Sequence, residues 1–248
     1  MANERLVLVE QHGVRGELVL NRPDRRNALI GPLVQELHEG LDALIADDAV
    51  NVILIRGAGG TLCAGLDLDA FSADPSPPWR EHFSSIWAGL HVAIYACPKL
   101  IVGVLEGAAI AAGSALALAC DILIAGDAAR FQVAEVKLGM AAPINVVWLE
   151  YKFGVARAME FAAGGQRHSG RELVERGIAT KSFPDDRVLS EARAYADLLA
   201  ENRPGAVAAV KRTIRSLAGI EDFRGRIAAA QDAGRGTDAG PGRGLRGR

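Results

Sequence analysis

At 248 residues, half of them hydrophobic, the chain can bury a substantial core as one large α/β domain or two modest ones. Twenty-eight Lys and Arg against thirty Asp and Glu leave a formal charge of -2, which excludes a broad positive field of the kind nucleic-acid binding rests on. Cys63, Cys97 and Cys120 are odd in number, lie in apolar runs and lack CxxC spacing, which argues against disulfides and zinc and for a reducing, cytoplasmic setting.

The opening MANERLVLVEQ has no basic region followed by a long apolar stretch, so neither a secretory signal nor an anchor is expected. Residues 5 to 20 run in short apolar stretches around His12-Gly13 and Gly16 and predict a β-hairpin. Leu33 to Ile45 has helical spacing, and Val52 to Ile55 reads as a strand. Ala73 to Pro78 predicts a loop, followed by a helix from about Trp79 to Tyr95 that Pro98 closes. Trp79, Phe83, Ile86, Trp87 and Leu90 recur along it as a core stripe, and His82 and His91, nine apart, have no metal-ligand spacing.

Leu100 to Leu105 is a β-branched run, Gly107 to Ala119 a Gly/Ala-rich turn and helix, and Ile122 to Ala125 another strand. The uncharged stretch from Gly107 to Cys120 is shorter than the ~20 residues a membrane helix needs and reads as buried. Ser114 has no local His/Asp context and reads as a helix-packing serine. Strands alternating with helices predict ββα units. From Val146 to about Asp232 the pattern is helical, with stops at Gly154, Gly165, Gly177 and Pro184 and a capping serine, Ser169, before Glu172. The Gly/Arg-rich end reads as mobile.

Two glycine-centred turns follow buried strands: Cys63-Ala64-Gly65-Leu66-Asp67, and Gly107 to Gly113. Each is able to aim backbone N–H groups into a cleft, and the helix start at the second adds its positive end, a setting suited to an oxyanion. Taken alone, each reads rather as an ordinary strand-to-helix turn.

Together and in order, NRPDRRNAL (21 to 29), VNVILIRGAGGTLCAGLDLDAF (50 to 71) and CPKLIVGVLEGAAIAAGSALALACDILIAGDAARFQVAEVKLGM (97 to 140) resemble the signatures of the crotonase, or enoyl-CoA hydratase/isomerase, superfamily. The resemblance runs from about Val7 to Leu217. It implies a spiral of ββα units with the acyl-CoA site in residues 1–190 and a helical oligomerisation region in 191–232, leaving 233–248 as a tail. It also implies a homotrimer or a hexamer, acyl-CoA as substrate, and no permanently bound cofactor, metal, nucleic acid or membrane.

Carried over by position, the oxyanion amides are those of Ala64 and Ala112, and the substrate contacts are Arg25, Ala28, Ala64, Leu66, Asp67, Leu68, Ala109, Ala112 and Pro143. Family hydratases place two glutamates around a water; the first aligns with Ala115, which cannot hold or protonate anything, and the second is retained as Glu135. Burial there is expected to raise the Glu135 pKa. The segment from Leu138 to Pro143, followed by Trp148, resembles the LGxxAP stretch of monofunctional enoyl-CoA isomerases. The expected activity is Δ3,Δ2-enoyl-CoA isomerisation with Glu135 as general acid/base. The alternatives on the same fold are a hydratase, a CoA thioester hydrolase, a decarboxylase or a non-catalytic acyl-CoA binder. Asp69 stands where many relatives have a phosphate-binding lysine, so Arg22, Arg25, Arg26 and Lys211 become candidates for CoA charge recognition; Glu106 replaces a common asparagine.

Overall fold

The computed structural model describes residues 5–220 and 222–234. The predicted hairpin is strands β1 (Val7–His12) and β2 (Arg15–Leu20), paired antiparallel from Val7↔Leu20 to His12↔Arg15, with Gly13 at φ 61 supplying the left-handed turn residue. Helix α1 (Gly31–Ala46) returns the chain to β3 (Val52–Gly57), parallel to β2. Asp67 then caps the short helix α2 (Leu68–Phe71) by accepting from the Ala70 N–H.

Helix α3 spans Phe83–Ala96, so it starts four residues later than expected; Trp79 to His82 form a turn, and His82 is exposed. Phe83, Trp87 and Leu90 are buried in the expected stripe, with Trp79 and Ile86 packed at its edge. His91 is fully buried and accepts at Nδ1 from Trp148 Nε1 at 2.8 Å, and burial pushes its pKa down to about 3, so it stays neutral in the core.

Strand β4 (Leu100–Leu105) leads to a short strand, β5 (Ala108–Ile110), hidden from periodicity by its alanines, and then to α4 (Ala112–Ala119). Next come β6 (Ile122–Gly126), β7 (Arg130–Gln132) and α5 (Pro143–Ala158), which kinks at Gly154, φ 79. The remaining elements are β8 (Arg167–Ser169), α6 (Gly170–Glu175), β9 (Lys181–Phe183), α7 (Val188–Ala200), α8 (Pro204–Leu217) and α9 (Phe223–Ala233). Ser169 and Glu172 form the expected capping box on α6. The two short strands interrupt the stretch read as purely helical. Most of the expected tail, residues 235–248, lies outside the described residues.

The main sheet runs β1-β2-β3-β4-β6-β9 and a smaller one β5-β7-β8. Strands β3, β4 and β6 are apolar on both faces apart from Arg56, as a covered parallel sheet requires, while β2 buries Arg15 and Glu17 as an ion-paired exception. Ile53 and Ile55 face the larger core with Leu33 and Leu37 of α1, while Val52, Leu54, Val102 and Val104 face α7. Ala192, Ala196 and Ala200 recur every fourth residue on α7, which lets that helix lie close against the sheet. Among the described residues no helix is long and apolar enough to cross a membrane.

Candidate active site

The two glycine turns are laced side by side. Cys63 bridges Ala109: the Cys63 N–H donates to Ala108 O at 3.0 Å, and the Ile110 N–H donates to Cys63 O at 3.1 Å. Gly113 permits this approach, since a Cβ there would lie 2.2 Å from Cys63 O. Three residues beyond each bridging residue the chain reaches Leu66 and Ala112. A Cβ on Gly65 would meet the Ala111 Cβ at 3.5 Å, so the residues preceding these two are in contact.

The backbone donors of the first turn are nearly all used. Leu62 N–H donates to Glu106 O, Ala64 N–H to Arg26 O at 3.0 Å, Gly65 N–H to Cys63 Sγ at 3.4 Å, and Asp67 N–H to Leu29 O. Leu66 N–H has no acceptor among the described residues. This corrects the expectation for Ala64: its N–H is spent pinning the turn to the 22–28 segment, and the donor left for a ligand is the amide of Leu66. In the second turn Ala111 N–H donates to Gln132 O, while Ser114 and Ala115 N–H both donate to Ala111 O. Ala112 opens α4, and its N–H has no acceptor among the described residues, as expected of a first-turn amide. Ala111, at φ 50 and ψ -119, sets that peptide plane.

Strand β7 pairs with β5 up to Ile110↔Gln132, which carries Glu135 to the same edge of the small sheet as Ala112. Glu135 begins a 3-10 turn, Glu135–Leu138. Its Oε1 accepts from Asn145 Nδ2 at 2.9 Å, while its Oε2 is buried without a partner. Burial raises its pKa above the ordinary 4.5, opposed by the backbone N–H groups of Glu135 and Ala134 and by Asn145. A carboxylate with one oxygen anchored and the other free is fitted to take and return a proton. Ala115, where a second acid would stand, is a buried methyl on α4.

The other expected contacts divide. Leu68 is exposed, Pro143 is part-exposed at the start of α5, and Ala28 is buried beside the loop with its carbonyl bound by Arg22 Nη1 at 2.5 Å. Ala109 is fully buried within the bridge. Asp67 is also buried; although desolvation alone would raise its pKa, its bonds from Ala70 N–H, Arg25 and Arg22 hold it below the ordinary value, so it braces the loop. Arg25 bonds both Asp67 and Asp69 at 3.0 Å. Lys211 is buried, with Nζ on Lys99 O and Asp121, and so is withdrawn from phosphate recognition. Arg26 is exposed.

A cavity of ≈ 750 Å³ lies beneath α8, lined among others by Tyr95, Trp148, Tyr151, Lys152 and Lys211. Neither glycine turn nor Glu135 lines it, so it is separate from the site described here.

Sequence reasoning missed Asn145 and the part Ser114 plays beside it. Both are buried, and Ser114 Oγ lies 3.0 Å from Asn145 Oδ1. The signal was an isolated amide in the apolar run Pro143 to Leu149, since a buried polar side chain implies a partner.

The family described as Enoyl-CoA hydratase/isomerase matches residues 11–231. Over 203 residues the chain is 32% identical to the 1,2-epoxyphenylacetyl-CoA isomerase of Escherichia coli, covering 80% of this chain and 78% of that one. Over 200 residues it is 31% identical to the 2,3-dehydroadipyl-CoA hydratase of the same organism, covering 80% and 77%. The solved enoyl-CoA hydratase of Bacillus anthracis superposes with a TM-score of 0.79 at 26% identity, covering 92% of this chain and 89% of that one. The fold, with its paired glycine turns, is that of a crotonase-type enzyme. The chain belongs to the enoyl-CoA hydratase/isomerase family.

Proposed function

We propose that the protein is a Δ3,Δ2-enoyl-CoA isomerase in which Leu66 and Ala112 N–H hold the thioester oxygen and Glu135 shuttles one proton. The observation that carries this reading is the unpaired Glu135 Oε2 on the edge where the uncommitted Ala112 amide opens its helix. The Glu135 carboxylate removes a C2 proton from a 3-enoyl-CoA. The two amides and the positive end of α4 take up the charge on the dienolate oxygen, and the same carboxyl returns the proton at C4. The double bond moves into conjugation with the thioester, and atoms and charge balance without a further cofactor. The raised pKa makes Glu135 a stronger base once ionised and sets the acidic limb of the rate profile.

Hydration is the second reading, favoured by the name of the 2,3-dehydroadipyl-CoA hydratase relative. Against it stands Ala115, which leaves the two-carboxylate route one acid short. Purified protein offered 3-hexenoyl-CoA and 2-hexenoyl-CoA separates them. Conjugation of the first without hydration of the second is expected, and rapid hydration of the 2-enoyl ester overturns the proposal. The exposed Val210, Ile214 and Leu217 of α8 support assembly into a trimer or hexamer through the C-terminal helices, which sedimentation velocity checks.

A further inference from the structure

We propose that Asn145 is a positioning residue that ties the proton-shuttling carboxylate and the Ala112 oxyanion amide to one side chain. This deepens the proposed function and rests on it.

The amide of Asn145 is buried at the start of α5. Its Nδ2 lies 2.9 Å from Glu135 Oε1 and 3.3 Å from Ala111 O. Both neighbours are acceptors when Glu135 is ionised, so the NH2 end must face them and the Oδ1 end must face Ser114 Oγ at 3.0 Å. The Ser114 hydroxyl, also 2.6 Å from Ala111 O, has one proton to share between that carbonyl and Asn145 Oδ1.

The Ala111 carbonyl belongs to the same peptide unit as the Ala112 N–H. Donors on the carbonyl side draw electron density toward oxygen, which fixes the plane of the peptide and strengthens its N–H as a donor. Asn145 therefore acts on both ends of the reaction. One N–H holds Oε1 so that Oε2 is the oxygen left for the substrate, and the other steadies the peptide that meets the thioester oxygen.

The same bond favours the ionised carboxylate against the burial that opposes it. The 3-10 turn bearing Glu135 packs on the π turn Met159–Ala163, whose acid, Glu160, is paired with Arg157 and Arg176; Lys137, on the same 3-10 turn, is exposed. The hold on the ionised carboxylate thus comes from Asn145 and the local backbone, with no charged group among its causes.

Asn145→Leu removes both donors at similar volume, and Asn145→Asp keeps the shape while placing an acid beside Glu135. For either variant kcat should fall about tenfold or more, the scale of one hydrogen bond to a charged group, with KM for 3-hexenoyl-CoA within about threefold. The acidic limb of kcat/KM should move to higher pH, since a lost donor favours the protonated acid. Carbon-13 NMR of labelled glutamate, with the Glu135 signal assigned through Glu135→Gln, reads the same coupling without turnover. A higher titration midpoint in the variants supports the role of Asn145 even if no enoyl-CoA is isomerised, an outcome that would sink the isomerase reading alone. Superimposable titration curves in folded wild type and folded Asn145→Leu or Asn145→Asp would overturn the proposal.

Discussion

Replacing Ala112 by proline deletes its N–H and also crowds the residue before it, since Ala111, at φ 50 and ψ -119, lies far from the extended conformation a residue preceding proline takes. Ala112 is the first residue of α4, where a proline's fixed φ suits the helix and no intrahelical bond is lost. The bonds that close the first turn come from Ser114 and Ala115 to Ala111 O and do not involve the Ala112 amide. The strain at Ala111 should cost about 1 to 3 kcal/mol, so the melting temperature falls and rates are compared at a temperature where every variant is folded. In the folded variant, losing one preorganised donor to an oxyanion should cost about 10²- to 10³-fold in rate, or roughly 3 to 4 kcal/mol of transition-state stabilisation. Ala112→Gly, which keeps the donor, should stay within about tenfold of wild type, at a helix cost of up to about 1 kcal/mol. Steady-state rates with 3-hexenoyl-CoA and a thermal melt of each variant make the test. A proline variant that is folded at the assay temperature and retains activity within about threefold refutes the role given to this amide.

Glu135→Gln should abolish isomerisation and yet stabilise the protein at neutral pH. An acid whose folded pKa is raised costs stability once the unfolded chain ionises, so the gain should fade as pH falls through the ordinary 4.5, as melts across pH would show. Glu17, fully buried, shows the opposite sign. Burial pushes its pKa up, but bonds from Arg193 and Arg56 outweigh burial and bring it to about 2. The drop from 4.5 to about 2 corresponds to roughly 3 kcal/mol of linked stability, present above 4.5 and lost as pH falls toward 2. Glu17→Gln should therefore be strongly destabilised at pH 7 and converge on wild type in acid. Gly113→Ala drives a methyl to 2.2 Å from Cys63 O and should cost about 1 to 3 kcal/mol together with activity, because the paired turns must separate. Gly205→Ala, with nothing within 4 Å in the first turn of α8, should gain about 0.4 to 1 kcal/mol in denaturant titration.

Much of the fold was legible because its strongest elements carry strong periods. The Leu100 to Leu105 strand was read with its observed bounds, and the Ser169 cap was marked by its glutamate three residues on. Strands β5, β8 and β9 were not legible, being three residues each and held by partners distant in sequence. Short runs carry too little alternation to separate from loop or helix.

The site was legible in part for a related reason. Glycine spacing marked both turns, whereas Glu135 was marked only by its place in the family resemblance, since an acid near a strand end reads by itself as a surface glutamate. Which amide of the first turn stays free depends on where Arg26 O, Ala108 O and Leu29 O fall, and only tertiary pairing decides that. Ala64 was the natural choice from position, yet its N–H is bonded and that of Leu66 is left over. Asn145 lies ten residues from Glu135, on a different element, and nothing local ties the two.

A crystal structure with a slow or unreactive acyl-CoA bound tests the central claim most directly. The thioester oxygen should lie about 3 Å from both the Leu66 and Ala112 nitrogens, with Glu135 Oε2 turned toward C2. A carbonyl oxygen bound elsewhere, or a Glu135 carboxyl facing away from the acyl chain, would contradict it.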